Sequence, residues 1–428
     1  MKQEIRERIK QIQKGVVPEG YKKDKVGMSP HDWNIKKLSQ IANQIERKNN
    51  GESYPVLTIS SLHGFLDQGE RFAKIIAGEN LAEYTLLEKN EFAYNKGNSK
   101  TYPQGCIFRL EKYDKALVPN VYISFKIEEG NSEYYKHYFI AGLLSHQLSR
   151  LINAGVRNDG LFNLYAQDFF ACKLLCPPLS EQVKIAEIIS TFDKAIELKE
   201  KLITGKSQQE RWLLENLLTG EKRLPGFRGK WKEVRLEEVC KDIIGGGTPP
   251  RNTKRYYQGS IPWITVKDLD GAKQKYDSIE HISPDAVVDR TTRIIPKGNL
   301  IVSTRMGLGR GFINMVDMAI NQDMKGIILD NALVSTEFVY FSYIELHDLL
   351  ERLGNGSTVK GIDVQTLKKL KINLPPLSEQ TAIAEILSVA DREIRLHERH
   401  LEELKKQKKA LMQLLLTGIV RVNGQEVS

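Results

Sequence analysis

The sequence predicts an α+β chain that carries one structural unit twice: two globular regions of mixed strands and helices, separated by two long helices that pair as a coiled coil with internal pseudo-twofold symmetry. Three observations lead there. The hexapeptide Pro177-Pro178-Leu179-Ser180-Glu181-Gln182 returns as Pro375-Pro376-Leu377-Ser378-Glu379-Gln380, an offset of 198 residues (375 minus 177). Both copies then run into long helical segments in unbroken register: Ile185-Ala186-Glu187-Ile188 answers Ile383-Ala384-Glu385-Ile386, Asp193 answers Asp391, and Leu217-Leu218-Thr219-Gly220 answers Leu415-Leu416-Thr417-Gly418. Between the copies, short strand-like runs alternate with polar turns and helical pieces. One repeat of this period is a tandem duplication, not a solenoid.

The chain of 428 residues is long enough for two or three domains with their own cores. Its 27% charged and 41% hydrophobic residues are those of an ordinary soluble protein. Lys and Arg exceed Asp and Glu by 63 to 54, a net +9 that favours an anionic partner. Cys106, Cys172, Cys176 and Cys240 form no CxxC pair and no zinc-type cluster, which suits reduced thiols in a cytoplasmic chain. Cys172 and Cys176 fall in the apolar run from Phe169 to Cys176 and read as buried small hydrophobes. The charged start, Met1 to Arg6, lacks the apolar core of a signal peptide, and no run of about 18 apolar residues suggests a membrane span.

Residues 1–20 read as a helix and a turn: Ile5, Ile9 and Ile12 share one face, and the pattern stops at Gly15 before Pro18-Glu19-Gly20-Tyr21. That ending resembles Leu224-Pro225-Gly226-Phe227-Arg228, so the chain opens on what looks like the tail of its own repeat. The first globular region, 21–176, begins with Trp33-Asn34-Ile35-Lys36-Lys37-Leu38, and the second, 221–374, with Trp231-Lys232-Glu233-Val234-Arg235-Leu236. Strands are expected at 54–59 and 119–125, helical pieces around 36–46 and 135–153. The second region has strands at 261–266 and 299–303 and a helix near 335–353. The ends of the unit repeat while the interiors differ. Chemistry would hold interior residues in place in at least one copy of a duplicated enzyme; two readers with different targets are free to diverge there.

The helical stretches 177–220 and 375–428, the latter with a tail, span about 40 residues each, roughly 60 Å at 1.5 Å per residue. Pro177-Pro178 cannot continue a helix backwards, Ser180 is placed to cap, Glu181 sits near the positive end of the dipole, and Gly220 and Gly418 supply the stop. A 4,3 spacing in the second helix selects Ile383, Leu387, Ala390, Ile394, His397, Leu401, Leu404, Lys408, Leu411 and Leu415. The equivalent series in the first is Ile185, Ile189, Phe192, Ile196, Lys199, Ile203, Lys206, Glu210, Leu213 and Leu217, with a bend or fraying expected at Thr204-Gly205-Lys206-Ser207. Equal lengths and similar stripes predict that the two helices bury each other. A pseudo-twofold axis crossing the coil makes them antiparallel, although a parallel pair also satisfies the spacing.

No catalytic constellation is present. Gly245-Gly246-Gly247-Thr248-Pro249-Pro250 lacks both the Gly-Lys-Ser/Thr ending of a P-loop and the GxGxxG spacing of a dinucleotide site. Asn373-Leu374-Pro375-Pro376 departs at Leu374 from the Asn/Asp-Pro-Pro-aromatic motif of amino-methyltransferases, and no glycine-rich cofactor loop precedes it. The histidines form no HExxH pair, no GxSxG elbow occurs, and no metal or catalytic residue is assigned.

Nucleic-acid binding has better support. Thr248, Arg251, Lys254, Arg255 and Tyr256 mix hydroxyl, cations and an aromatic beside flexible glycines, Lys267 follows a strand, and Ser303, Thr304, Arg305 and Arg310 occupy a glycine-containing loop. In the first region Arg47 and Lys48, followed by Asn49 and Asn50, and the loop from Tyr94 through Asn95, Lys96 and Asn98 to Lys100 stand in analogous places. Arg bridges guanine edges, while Lys, Ser and Thr mostly hold phosphates.

With these residues in view, the whole chain resembles the specificity subunit of type I restriction-modification systems. The duplicated Pro-Pro-Leu-Ser-Glu-Gln entry and Leu-Leu-Thr-Gly exit look like that family's helical regions. Gly246-Gly247-Thr248-Pro249, Ile261-Pro262-Trp263-Ile264-Thr265 with Lys267-Asp268-Leu269, and Ala319-Ile320-Asn321-Gln322 are similar to stretches of its target recognition domains. The first region lacks the Gly-Gly-Thr-Pro loop. The resemblance implies two recognition domains held apart by an antiparallel helix pair, each reading half of a bipartite target in double-stranded DNA. It further implies two methyltransferase subunits that carry S-adenosylmethionine and methylate adenine, a restriction and translocation subunit that joins them, and no cofactor in this chain. Half-sites one helical turn apart, about 34 Å, are within reach of such a spacer. Differing interiors imply an asymmetric target. The rival readings are a fused or standalone DNA adenine modification enzyme and a scaffold that reads no sequence.

Overall fold

The computed structural model describes residues 3–24, 26–49, 51–71, 81–97, 99–152, 162–354 and 361–422. The chain divides into two compact units, Met1–Lys199 with His400–Ser428, and Glu200–Arg399. Each unit contains part of both long helices.

In the first unit, strands β1 (Ala42–Gln44), β2 (Phe92–Asn95), β3 (Cys106–Arg109) and β4 (Ile123–Ile127) form an antiparallel sheet in the order β1-β4-β2-β3. Phe92 on β2 and Phe125 on β4 stack with ring centroids 5.3 Å apart, and Phe139 of the helix Ser132–Ile140 meets both edge-on. Asn131 caps that helix by accepting from the Tyr134 amide at 2.9 Å, as an Asn N-cap does. Ile185 and Ile189 of the first long helix join the same core, as do Met412, Leu415 and Leu416 of the second. The unit is closed by Asn34–Lys37 pairing with Lys173–Cys176, which brings its two ends together.

The second unit repeats this plan. Strands β5 (Cys240–Gly245), β6 (Leu300–Ser303), β7 (Gly311–Asn314) and β8 (Met324–Leu329) lie in the order β5-β8-β6-β7, with Gln274–Lys275 added in parallel outside β7. Lys232–Arg235 pairs with Lys371–Leu374 to close the ends. A second sheet, built on Ile261–Ile264 and Met318–Ile320, buries Trp263.

Three local expectations are corrected. The residues around 36–46 are not a helix: Asn34–Lys37 and Ala42–Gln44 are strands joined by the single turn Leu38–Ile41. Leu38, Ile41 and Ala42 are buried in either case, but the ladders to Lys173–Cys176 and β4 satisfy backbone groups over a longer range than one short helix does. The first long helix runs unbroken from Leu179 to Thr219 through Thr204-Gly205-Lys206-Ser207. Gly205 costs about 1 kcal/mol relative to Ala, and the half-buried Ile203 and the Lys206–Glu393 ion pair at 2.9 Å hold the turn in place. Ser180 is not the cap. The Glu181 and Gln182 amides donate to the Pro178 carbonyl at 2.9 and 3.0 Å, which puts Ser180 inside the first turn and exposed.

The rest of the hexapeptide has structural roles instead. Gln182 donates to the Pro177 carbonyl and accepts from the Asn131 amide; Gln380 does the same with Pro375 and Ser335. Glu181 is buried, accepts from the Trp33 indole at 2.9 Å and is paired with Arg421 at 2.8 Å. Glu379 is buried too, accepting from Trp231 at 3.2 Å and paired with Arg223 at 2.6 Å. The same Trp-Glu-Arg clasp thus ties the start of each globular region to a long helix.

Within each unit the long helices run antiparallel. In the first, Glu181 meets Arg421 and Asp193 meets Lys408; in the second, Lys206 meets Glu393 and Arg223 meets Glu379, so one number rises as the other falls. Ile185, Ile189 and Leu415 are buried in the first unit, with Phe192, Ile196, Leu401 and Leu411 half-buried; Leu217, Ile383, Leu387 and Ile394 are buried in the second, with Leu213 half-buried. Gly220 and Gly418 end the helices at φ +78° and +72°. A Cβ on Gly418 would sit 2.5 Å from Pro30, so the close approach alone requires glycine there.

Candidate nucleic-acid interface

The order β1-β4-β2-β3 and its repeat β5-β8-β6-β7 place three loops at one end of each sheet. Because neighbouring strands are antiparallel, the end of the first strand, the start of the fourth and the end of the second lie side by side. In the first unit the loop after β1 carries Arg47 and Lys48, Asn95 ends β2, and the loop after it carries Lys96 and Lys100. In the second unit the loop after β5 carries Thr248 and Arg251, Ser303 ends β6, and the loop after it carries Thr304, Arg305 and Arg310. The analogous loops picked from sequence therefore share one topological position. Asn50 and Asn98 lie outside the described residues.

In the first unit these residues are tied mainly to acidic and backbone partners. Arg47 pairs at 3.1 Å with the buried Glu91, and that hydrogen bond raises the guanidinium pKa. Lys48 pairs with Glu83 at 3.1 Å. Asn95 closes a turn by accepting from the Gly97 amide at 2.9 Å and donates to the Ile59 carbonyl at 3.3 Å. The Lys96 carbonyl accepts from the Phe162 amide, and Lys100 is exposed.

The second unit builds a tighter edge. The glycine run is pressed against the segment that precedes β8: a Cβ on Gly246 would sit 1.9 Å from the Ile320 carbonyl oxygen. The Gly247 amide donates to that same carbonyl at 3.0 Å, and the Trp263 indole donates to the Gly247 carbonyl at 3.2 Å. Thr248, carried forward by this loop, donates its hydroxyl to the Gln322 side-chain oxygen. Arg251 lies over the rings of Tyr257 and Trp263, 4.6 and 5.2 Å from their centroids, and reaches Glu280 at 3.2 Å. This hydrogen bond raises the Arg251 pKa and holds Glu280 below the usual carboxylate range. Lys267 is exposed on the turn after Ile261–Ile264, where the Asn321 amide donates to the Ile264 carbonyl. Arg305 is exposed and stands 3.8 Å from Asp323. Arg310, also exposed, closes the same loop on the Gly307 carbonyl.

Three of the residues expected to face DNA are turned inward. Ser303 is buried with its hydroxyl on the Arg305 carbonyl, and Thr304 is buried with its hydroxyl on the Asp323 carbonyl at 3.1 Å. Both hydroxyls satisfy backbone acceptors of the loops and shape them. Tyr256 is buried and donates to Asp289 at 2.8 Å, which also pairs with Arg255 at 2.8 Å; the exposed Lys254 shares this turn.

Two residues of the edge were not singled out as contacts from sequence. Gln322 is exposed beside Thr248, and Lys325 donates to the Gln322 carbonyl at 2.8 Å while burial lowers its pKa. The available signal was the Asn321-Gln322-Asp323 turn directly before a strand. Among the described residues no group of three His, Cys, Asp or Glu side chains is placed to hold a metal, and no helix is long and apolar enough to cross a membrane.

Comparison with known proteins identifies the family of the chain. A family model described as "Type I restriction modification DNA specificity domain" matches residues 30–205 and again 228–406. A protein of Methanocaldococcus jannaschii, provisionally named as the MjaX specificity subunit of a type I restriction enzyme, is 25% identical over 94% of this chain and 97% of its own length. The EcoR124I/EcoR124II specificity subunit of Escherichia coli is 29% identical over 48% of this chain and 51% of its own. The solved S subunit of a type I restriction-modification system from M. genitalium superposes with a TM-score of 0.56 at 13% identity, covering 90% of this chain and 96% of that one. A chain from a structural study of the assembly and conformational transition of a type I R-M system gives 0.56 at 17% identity, covering 92% and 99%. At such identities the two structures speak for the fold alone.

Proposed function

Because the chain belongs to the type I restriction-modification DNA specificity family and is a DNA sequence-specificity subunit, we propose that it reads an asymmetric, bipartite target, one half through each unit. The recognition domains in this reading are residues 21–176 and 221–374, and the helices within 177–220 and 375–428 are the spacer between them. Two methyltransferase subunits that carry S-adenosylmethionine dock on the chain and methylate adenine; a restriction and translocation subunit joins them for cleavage. The subunit itself supplies recognition rather than catalysis.

The observation that carries this reading is one sheet order with two different loop sets at its end. β1-β4-β2-β3 and β5-β8-β6-β7 are the same scaffold, yet one presents Arg47, Lys48 and Lys100 and the other Thr248, Arg251, Lys267, Arg305 and Arg310. Equal scaffolds with unequal reading surfaces suit two unlike half-sites. The test is to express the chain with a cognate methyltransferase subunit and map adenine methylation across the host genome. The expected result is one motif of two unlike halves with a constant gap. Methylation without sequence preference, or methylation by this chain alone, overturns the reading.

A further inference from the structure

Resting on the proposed function, in which the second unit binds one half-site, we propose that the second long helix, Leu377–Leu416, also holds DNA: Arg392 and Arg399 grip the phosphate backbone of the duplex beside that half-site. With Arg395 they recur at i, i+3 and i+7, so the three share one face of the helix within the second unit. Arg395 is committed inside the protein. Its Nε donates to Asp391 at 3.0 Å, and a terminal nitrogen donates to the Gly271 carbonyl. Lys273, two residues on, donates to Ser388 Oγ at 2.6 Å. These contacts pin the segment before Gln274–Lys275 to the helix and leave an open cleft of about 420 Å³ between them. Among the described residues its lining holds four cations, Lys273, Arg392, Arg395 and Arg399, and a single carboxylate, Asp391, which Arg395 already binds. Arg392 and Arg399 are exposed and, among the described residues, pair with no carboxylate, although Glu337 and Glu385 line an adjoining cleft with Arg392.

A surface arginine is commonly just solvated. What distinguishes these two is continuity with the candidate interface. Ala272 lines their cleft and also a second one, of about 530 Å³, that Arg310 of the loop after β6 lines as well. Asp270, the carboxylate of that second cleft, is paired with Lys275 at 2.8 Å. Arg310 is exposed and has no acidic partner among the described residues. A path of unneutralised cations thus runs from the loop expected to meet DNA to the long helix, and the exposed Tyr276 adds a hydroxyl of the kind that binds phosphate. From Arg392 to Arg399 the helix advances about 10 Å, against about 3.4 Å of duplex axis per phosphate on one strand, so the pair can hold phosphates about three steps apart. The first unit carries Lys194, Glu197 and Lys201 at the equivalent positions, so the all-arginine stripe belongs to one half-site only.

The test uses the full chain with its methyltransferase partner on duplexes that carry the mapped motif. Affinity is measured across a salt series for the wild type, the double variant Arg392→Ala/Arg399→Ala and the double variant Arg392→Lys/Arg399→Lys. Losing two phosphate contacts should make the plot of log affinity against log salt shallower by about 2, with the methylated motif unchanged. The lysine pair keeps both charges and should keep the slope. Neutral methylphosphonates placed beside one half-site should weaken the wild type several-fold and leave the alanine pair unaffected. An alanine pair that binds with the wild-type slope overturns the proposal. So does one that alters the motif, or one that no longer holds the methyltransferase subunit, because the surface then serves the bases or a protein partner. A wild type that methylates without any motif overturns the proposed function, and this inference with it.

Discussion

Glu181 and Glu379 are buried acids, and each is bound by an indole and a guanidinium. The hydrogen bond to Glu181 is the main cause of a raised Arg421 pKa. Removing Glu181 leaves the Trp33 indole without its acceptor and Arg421 with Asp32 as its remaining carboxylate partner; breaking a buried pair costs about 3 to 5 kcal/mol, and the partly exposed Arg421 puts this one at the lower end. Glu181→Ala should therefore destabilise the chain by about 3 kcal/mol, whereas changing the neighbouring exposed Ser180 to Ala should stay within about 0.5 kcal/mol. Urea unfolding of both variants measures the contrast; equal midpoints would mean that the clasp contributes nothing. At the same scale, residue type alone did not separate reading residues from supporting ones. Ser303, Thr304 and Tyr256 have side chains fit to contact DNA, but each finds an internal acceptor that the sequence places far away or within a loop of unknown shape.

The long helices use their stripe differently at equivalent positions. In the first unit Asp193 pairs with Lys408 across the coil. In the second, the equivalent of Asp193 is Asp391, and the residue in the place of Lys408 is Glu210. Burial, and then the like charge of Asp391, push the Glu210 carboxyl up to about 7, with Glu398 adding to the rise and Arg395 opposing it. A carboxyl whose pKa is higher folded than unfolded contributes stability below its ordinary value of 4.5, and that contribution is lost as pH rises toward about 7. Glu210→Gln removes the charge and should raise the melting temperature at pH 8 by a few degrees, about 1 to 2 kcal/mol after discounting for partial solvent exposure. The gain should fade toward pH 5. Thermal melts at both pH values check this, and a gain that is the same at both would exclude Glu210 titration as its cause.

At the scale of the whole molecule, the prediction is modularity. The two sheets share strand order, closing strand pair and Trp-Glu-Arg clasp, while the loops and the additional strands built around them differ. Exchanging residues 21–176 for the first recognition region of another member of the family should change one half of the methylated motif and leave the other half and the gap intact. If mapping shows both halves altered, the units do not read independently.

Sequence by itself determined the duplication, the two long helices and the stripe on each, because these are local or periodic properties: identical hexapeptides, unbroken register and a 4,3 spacing survive without knowledge of any distant contact. It also located the loops that share one end of each sheet, through their glycines and cations. What only the tertiary structure decided was anything that depends on a partner remote in the chain. The antiparallel direction within each unit rests on pairs such as Asp193 with Lys408 and Lys206 with Glu393. The continuity of the helix at Gly205 rests on the same packing. The burial of Ser303 and Thr304 goes with backbone acceptors that the fold brings within reach of their hydroxyls. Whether a polar side chain is buried on an internal acceptor or left at the surface is settled by three-dimensional neighbours rather than by residue type.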